Sequence, residues 1–229
     1  MMEKKLLTVI NVLLAVILIF AGCTKDEKPP DPVADMEGNS YKTVKIGTQI
    51  WMAENLRSTK YNDGAEITLV PGAKAWNDVL TGAYCWYNND DLQYRDIYGA
   101  LYNGYAVMQG NLCPSGWHVP SREEWQLLRD FLGDTTKAGG KLKESGTEHW
   151  LSPNKGADNS TAFTALGAGI RYFEGTFSSN QSFSGIWSST ESSQSNLWST
   201  SLYYGDAALG INLRSKKYGF SVRCLKDQK

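Results

Sequence analysis

Apolar and polar positions alternate loosely over residues 41–46, where Val44 and Ile46 fall between polar neighbours. Gly47-Thr48 interrupts the run, and Gln49-Ile50-Trp51-Met52 follows. A Gly-X pair between two such runs predicts a hairpin with a type II′ turn. Further along, Ser121-Arg122-Glu123-Glu124 has the form of a capping box, in which Ser121 and Glu124 each satisfy the other's backbone N–H. Behind it Trp125, Leu128, Phe131 and Leu132 recur at helical spacing, and Gly133 ends the pattern. The spacing predicts a helix over residues 122–132. A shorter helix is expected over residues 137–144, weakened by Gly139-Gly140. Beyond residue 155 the chain turns to Gly, Ser, Thr and aromatics, with strands expected over residues 185–189, 197–203 and 219–224. Strands, one or two short helices and long loops, then strands again, make the fold class α+β with mainly antiparallel strands.

The first segment reads as an address. Lys4 and Lys5 precede an apolar stretch, residues 6–21, broken only by Thr8 and Asn11. That is shorter than the ~20 residues that span a bilayer and matches the apolar region of a signal peptide. It ends in Phe20-Ala21-Gly22-Cys23, similar to a bacterial lipobox, although Phe20 stands where Leu is usual. Residues 1–22 are therefore expected to be a lipoprotein signal peptide and Cys23 the acylated residue. Residues 23–39, with Pro29-Pro30-Asp31-Pro32, read as an extended Pro-rich tether. The charged run Lys25-Asp26-Glu27-Lys28 resembles the surface-export signal of Bacteroidetes lipoproteins. The expected location is the outer membrane, lipid-anchored and exposed on the cell surface. Residues 40–229 have no second linker and no repeat, so they read as one domain.

Composition narrows the function. With 23 basic and 24 acidic side chains the net charge is −1, which argues against a nucleic-acid partner. Eight Trp, 12 Tyr and 7 Phe exclude disorder along the whole chain. The two histidines, His118 and His149, fall short of most zinc sites. Besides Cys23, the chain has Cys85, Cys113 and Cys224, which allow one disulfide and one leftover thiol, or three reduced thiols.

Several stretches carry a family resemblance when taken in order. They are Thr43-Val44-Lys45-Ile46-Gly47-Thr48-Gln49-Ile50-Trp51-Met52-Ala53-Glu54-Asn55-Leu56, Tyr84-Cys85-Trp86-Tyr87-Asn88-Asn89-Asp90 and Tyr98-Gly99-Ala100-Leu101-Tyr102-Asn103. Then come Cys113-Pro114-Ser115-Gly116-Trp117-His118-Val119-Pro120-Ser121 and Gly219-Phe220-Ser221-Val222-Arg223-Cys224. Together they resemble the Fibrobacter succinogenes major paralogous domain, found in surface lipoproteins. The resemblance covers residues 42–227. It implies a C-type-lectin-like fold in which the N- and C-terminal strands pair, a helix follows the Cys-Pro-x-Gly-Trp motif, and long loops carry any ligand. It also implies a Cys113–Cys224 disulfide, and it supplies no reaction.

Catalytic patterns are scarce. No G-x-S-x-G elbow or phosphate loop is present, and Gly167-Ala168-Gly169-Ile170-Arg171-Tyr172 puts Tyr172 where a dinucleotide fingerprint needs its third glycine. Glu54, Glu123, Glu124, Glu174 and Glu191 form no recognisable glycosidase pair, and Glu124 already caps a helix. Asn88-Asn89-Asp90-Asp91 gathers oxygen ligands suited to calcium, but its spacing is not that of an EF-hand and equally suits an Asx-rich turn. Asp158-Asn159-Ser160 is a weaker parallel. Aromatic side chains carry the functional expectation, because sugar rings stack on Trp and Tyr. Trp150, Trp187, Trp198, Tyr203 and Tyr204 are the candidate ligand contacts, while Trp51, Trp117 and Trp125 are expected in the core. The chain thus reads as a non-catalytic surface module, with a glycan or another surface protein as partner and the membrane held through its lipid. Replacing the acylated residue, Cys23→Ala, is expected to move the protein from the detergent phase to the aqueous phase in a phase-partition assay. Retention in the detergent phase would show a different anchor.

Overall fold

The computed structural model describes residues 29–228, so the signal sequence and Cys23 lie outside the described residues. No helix among the described residues is long and apolar enough to cross a membrane. The chain enters through a small hairpin, β1 (Val33–Ala34) with β2 (Ser40–Tyr41). The expected second hairpin follows as β3 (Thr43–Ile46) and β4 (Gln49–Met52), in register from Thr43↔Met52 to Ile46↔Gln49. Gly47 takes a φ of 60°, as the first central residue of a type II′ turn must.

A run of short elements comes next: β5 (Thr68–Leu69), α1 (Ala73–Asp78), β6 (Ala83–Cys85), α2 (Asp91–Tyr98), β7 (Leu101–Asn103) and α3 (Gly104–Val107). Then β8 (Trp117–His118) leads into α4 (Arg122–Leu132) and α5 (Ala138–Leu142). The capping box is formed as expected, with Ser121 Oγ accepting from the Glu124 N–H at 3.1 Å and Glu124 Oε2 accepting from the Ser121 N–H at 2.7 Å. Trp125, Leu128 and Leu132 are buried, but Phe131 is 63% exposed and rests against Gly47 of the hairpin turn. The C-terminal half is β9 (Ala168–Arg171), β10 (Phe177–Asn180), β11 (Phe183–Ser193), β12 (Asn196–Tyr203), β13 (Gly210–Ser215), β14 (Gly219–Phe220) and β15 (Leu225–Lys226).

These strands build two principal sheets. One runs β13-β12-β11-β9-β14-β7-β6-β5, with β10 added to β9, and the other runs β3-β4-β15-β8. Most pairs are antiparallel, and the whole is α+β. The first and last strands meet as expected: Leu225 is opposite Trp51 on one side and His118 on the other. Two large aromatic cores and a smaller cluster around Trp76 and Tyr87 fill the interior. Trp51, Trp125 and Phe163 pack together in one, with the two indoles 4.6 Å apart. Trp187 and Phe220 pack at 4.9 Å in the other, beside Tyr102.

Residues 29–39, expected as a free tether, are instead partly fastened to the domain. The Asp35 carboxylate accepts from the Asn39 N–H at 3.0 Å and from the Tyr41 hydroxyl at 2.6 Å. Glu37 accepts from the Thr59 N–H at 2.6 Å. A polar loop that closes an Asx turn and receives donors from a neighbouring segment gains more from docking than from remaining solvated.

Cys113 and Cys224 form the disulfide, closing a separation of 111 residues. Cys85 is a free thiol, buried, with its pKa pushed up to about 12 by that burial. Removing the bridge as Cys113→Ser with Cys224→Ser should cost about 4–5 kcal/mol of stability in urea titration, by the loop-entropy relation. In the native parent protein a thiol reagent should find no reactive cysteine among these three, and one only after unfolding.

Candidate functional site

A groove of about 840 Å³ opens in the surface. One wall is the edge strand β3, with Thr43, Val44 and Lys45. The opposite side brings Asp96 and Ile97 from α2, and Ala162, Thr164 and Leu166 from the loop before β9. Phe131 stands at the rim, and Pro29 and Pro30 close one part of it. The lining is mixed, since Lys42 and Arg57 face the same space as Glu54, Asp96 and Glu144.

Arg223 holds the floor. Its Nε donates to Asn55 Oδ1 at 2.8 Å, Nη2 donates to the Thr164 carbonyl at 2.8 Å, and Nη1 donates to the Phe163 carbonyl. The guanidinium also lies 4.3 Å from the centre of the Phe163 ring. Burial lowers its pKa to about 9, because the charge has lost water and gained carbonyl dipoles rather than a carboxylate in contact. Asn55 in turn donates to the Tyr98 carbonyl at 2.8 Å. Gly99 follows at φ 72°, and a Cβ there would sit 2.8 Å from both Asn55 Cβ and the Leu56 carbonyl oxygen. Only glycine meets both demands. Arg223 thus joins the segment after β4 to residues 163 and 164, and Asn55 extends the connection to the end of α2.

The aromatic candidates do not converge on it. Trp150 and Trp187 are core residues, 1% and 0% exposed. Their indole N–H groups donate to the Ala165 carbonyl at 2.8 Å and the Tyr102 carbonyl at 2.7 Å. That corrects their assignment as ligand contacts, since a buried indole with its one donor satisfied has nothing left to offer. Trp198 is half-buried on β12 beneath the Arg122 guanidinium, 4.1 Å from the ring centre. Tyr203 is exposed and Tyr204 half-buried, their rings edge to face at 4.7 Å. Alternation along the strand sends Trp198 and Tyr203 to opposite faces of the sheet.

The Asn88–Asp91 cluster forms a turn and a helix start rather than a cation cage. Asn88 and Asn89 take φ values of 52° and 58°, and Asn89 Nδ2 donates to the Pro71 carbonyl at 3.1 Å. Asp90 caps α2 by accepting from the Gln93 N–H at 3.0 Å, and Asp91 is the first helical residue. The Asp158-Asn159-Ser160 oxygens are used similarly: Asp158 accepts from the Ser160 N–H and Asn159 from the Thr164 N–H. Asn and Asp here satisfy the local backbone, which is their ordinary role in turns.

A different cluster went unread in the sequence. Glu144, Glu148 and His149 bring one ligand atom each within 4.8 Å of one another, the one such set of His, Cys, Asp and Glu among the described residues. His149 Nδ1 lies 2.9 Å from Glu144 Oε1, and Glu144 also borders the groove. One imidazole and two carboxylates are a donor set that a divalent ion accepts. The only sequence signal is Glu144 followed by Glu148-His149, which is too common to stand out. Likewise, the groove draws on segments far apart in the chain, and no local pattern points to it.

The other histidine ties the fold. His118 Nδ1 is 2.6 Å from Asp227 Oδ1, and Nε2 is 2.9 Å from Glu124 Oε1. The Glu124 carboxylate, with Asp227 behind it, raises the imidazole pKa to about 9 against the opposing effect of partial burial.

Architecture and site together define an α+β domain whose groove is assembled from its N-terminal hairpin, a central helix, the loop before β9 and Arg223 between the last two strands. The chain belongs to the Fibrobacter succinogenes major domain family, whose family model matches residues 44–226. No curated protein and no solved structure matches it.

Because the folded-state pKa of His118 lies above its ordinary value of 6.5, the stabilisation it brings is complete below about pH 6.5 and is lost as pH rises toward 9. The melting-temperature difference between the parent protein and His118→Asn should therefore shrink steadily from pH 6 to pH 9.5. A difference that stays constant over that interval would refute the ionic role.

Proposed function

We propose that this chain is a lipid-anchored, non-catalytic recognition module of the outer cell surface, and that its groove binds a short stretch of an extracellular polymer such as a glycan. The supporting observation is that three separate motifs, residues 43–56, 98–103 and 219–224, supply the groove's walls and floor through Val44, Glu54, Asn55, Gly99 and Arg223. A groove with apolar faces and charges of both signs suits a ligand that is amphipathic along its length. Phe131 offers a ring face at the rim, and Arg57 and Asp96 offer hydrogen-bonding partners for hydroxyl or charged groups. Absence of a catalytic signature in the sequence favours binding over turnover. The signal peptide and lipobox favour the anchored location, with the Lys-Asp-Glu run favouring surface export.

The mixed charge of the groove also supports a second reading, an adhesive module whose partner is another envelope protein. Polypeptide segments carry both signs and would match Lys42 and Arg57 as well as Glu54 and Asp96.

A glycan and polysaccharide array probed with soluble residues 24–229, with calcium and with chelator, separates the two. A specific hit weakened about tenfold by Phe131→Ala with Ile97→Ser, and unchanged by Tyr203→Ala, is expected for groove binding. Loss with chelator would bring Glu144, Glu148 and His149 into the site. No hit on the array overturns the glycan reading for the sugars displayed, and envelope proteins captured in their absence would favour the adhesive one.

A further inference from the structure

We propose that residues 29–41 are a detachable strap that forms one wall of the groove and controls how far it opens. This inference rests on the groove being the ligand site. Pro29 and Pro30 line the groove directly. Thr43 Oγ1, on the wall strand β3, donates to the carbonyls of Pro30 and Asp31, each at 3.0 Å. The start of the strap therefore lies against the wall it would uncover.

Asp35 shapes the strap from within, and Glu37 ties it to the neighbouring segment. Asp35 accepts four hydrogen bonds, from the Glu37 N–H at 2.9 Å, the Asn39 N–H at 3.0 Å, Asn39 Nδ2 at 2.8 Å and the Tyr41 hydroxyl at 2.6 Å. The Tyr41 oxygen then accepts from the Arg57 N–H at 3.1 Å, which carries the connection into the domain. Glu37 reaches across the surface to accept from Ser58 Oγ at 3.1 Å, the Thr59 N–H at 2.6 Å and Thr59 Oγ1 at 2.7 Å. Burial of Glu37 is slight and would raise its pKa, but the bonds from Thr59 and Ser58 prevail and hold it below the ordinary value.

Apolar attachment is sparse. Val33 is the one apolar side chain of residues 29–40 packed on a core cluster, and Met36 is 58% exposed. Tyr41 is the buried hinge at which the strap joins the core. A segment fastened by surface hydrogen bonds, with little apolar area beneath it, opens at a free energy well below that of global unfolding. Opening about Tyr41 would withdraw Pro29 and Pro30 from the groove and free the side of β3 they cover. The strap is also the part of the domain joined directly to the segment that leads to Cys23, so force on an anchored chain reaches it first.

The test uses unacylated mature chain, residues 24–229, and needs no natural ligand. A release variant, Asp35→Asn with Glu37→Gln, is compared with the parent chain. The anionic apolar dye anilinonaphthalene sulfonate probes the groove, and hydrogen exchange reads the backbone. The release variant should bind the dye about fivefold more tightly and exchange faster at residues 33–46. Adding Phe131→Ser with Ile97→Ser should abolish the gain, which ties the dye to the groove. Should the double release variant lose its near-UV tryptophan signal, Glu37→Gln alone is the test. Faster exchange at residues 33–41 with unchanged dye affinity overturns the proposal, and so does exchange of the parent strap only at the rate of global unfolding. If the strap opens as described and no polymer binds, the proposed function falls and the strap stands.

Discussion

The structure depends on one short segment that belongs to both sheets. Residues 219–225 are all buried. Gly219 sits between Asn103 and Arg171 in the large sheet, and Leu225 sits between Trp51 and His118 in the small one. Between them the backbone keeps bonding on both sides: Leu56 N–H donates to the Val222 carbonyl, Met52 N–H to the Cys224 carbonyl and Trp187 N–H to the Ser221 carbonyl. Phe220, Val222 and Cys224 enter one core while Leu225 enters the other. The disulfide at Cys224 and the guanidinium of Arg223 then fix the same segment to β8's approach and to the groove floor. Losing this segment would separate the sheets and dismantle the groove together, so stability and site are inseparable here.

Long loops are held by a repeated device. Arg171 is buried between Trp76 and Phe177, donating to the carbonyls of Gly175, Val70 and Pro71. Lys143 donates to the carbonyls of Lys155, Tyr203 and Asp206, and burial lowers its pKa to about 8. Arg223 does the same for residues 163 and 164. A buried cation satisfied by carbonyl dipoles gathers irregular backbone that has no ladder partners of its own, which is what a fold with so little helix requires. The desolvation cost is visible in the lowered pKa of Lys143 and of Arg223. At the groove, what it secures is the position of residues 163 and 164.

Local signals were legible and distant ones were not. The β3–β4 turn and the α4 capping box each depend on a few adjacent residues, and both formed as read. The pairing of first and last strands and the disulfide came through the family resemblance, since nothing local joins Cys113 to Cys224. Trp187 misled because the Ser- and Gly-rich composition around it suggested exposed loops. In the structure those small residues form β11 and β12, where Ser184, Ser188, Ser199 and Thr200 are buried. Gly185 lets the Phe220 ring approach to within 2.5 Å of where a Cβ would be. Small residues there mark close packing of large rings, not solvent. Strands of two or three residues, such as β5 and β7, are too short to show any period. The groove escaped for the same reason as the cluster at Glu144, because its members are brought together only by the fold.

Placement of the groove relative to the chain's entry constrains any ligand. An extended chain reaches at most about 3.6 Å per residue. On the lipoprotein reading, the six steps from Cys23 to Pro29 therefore keep the strap's first residue within about 22 Å of the acylated cysteine. On that reading, a ligand entering the groove would meet Pro29 and Pro30 close to the membrane side of the tether, not at a distal tip. Small soluble sugars would gain nothing from that position. A polymer lying along the cell surface, or a neighbouring envelope protein, would have its own attachment to the same surface, which raises the effective concentration at the groove without any added contact. Weak intrinsic affinity would then suffice, and a shallow groove of mixed polarity with one exposed ring is consistent with that regime.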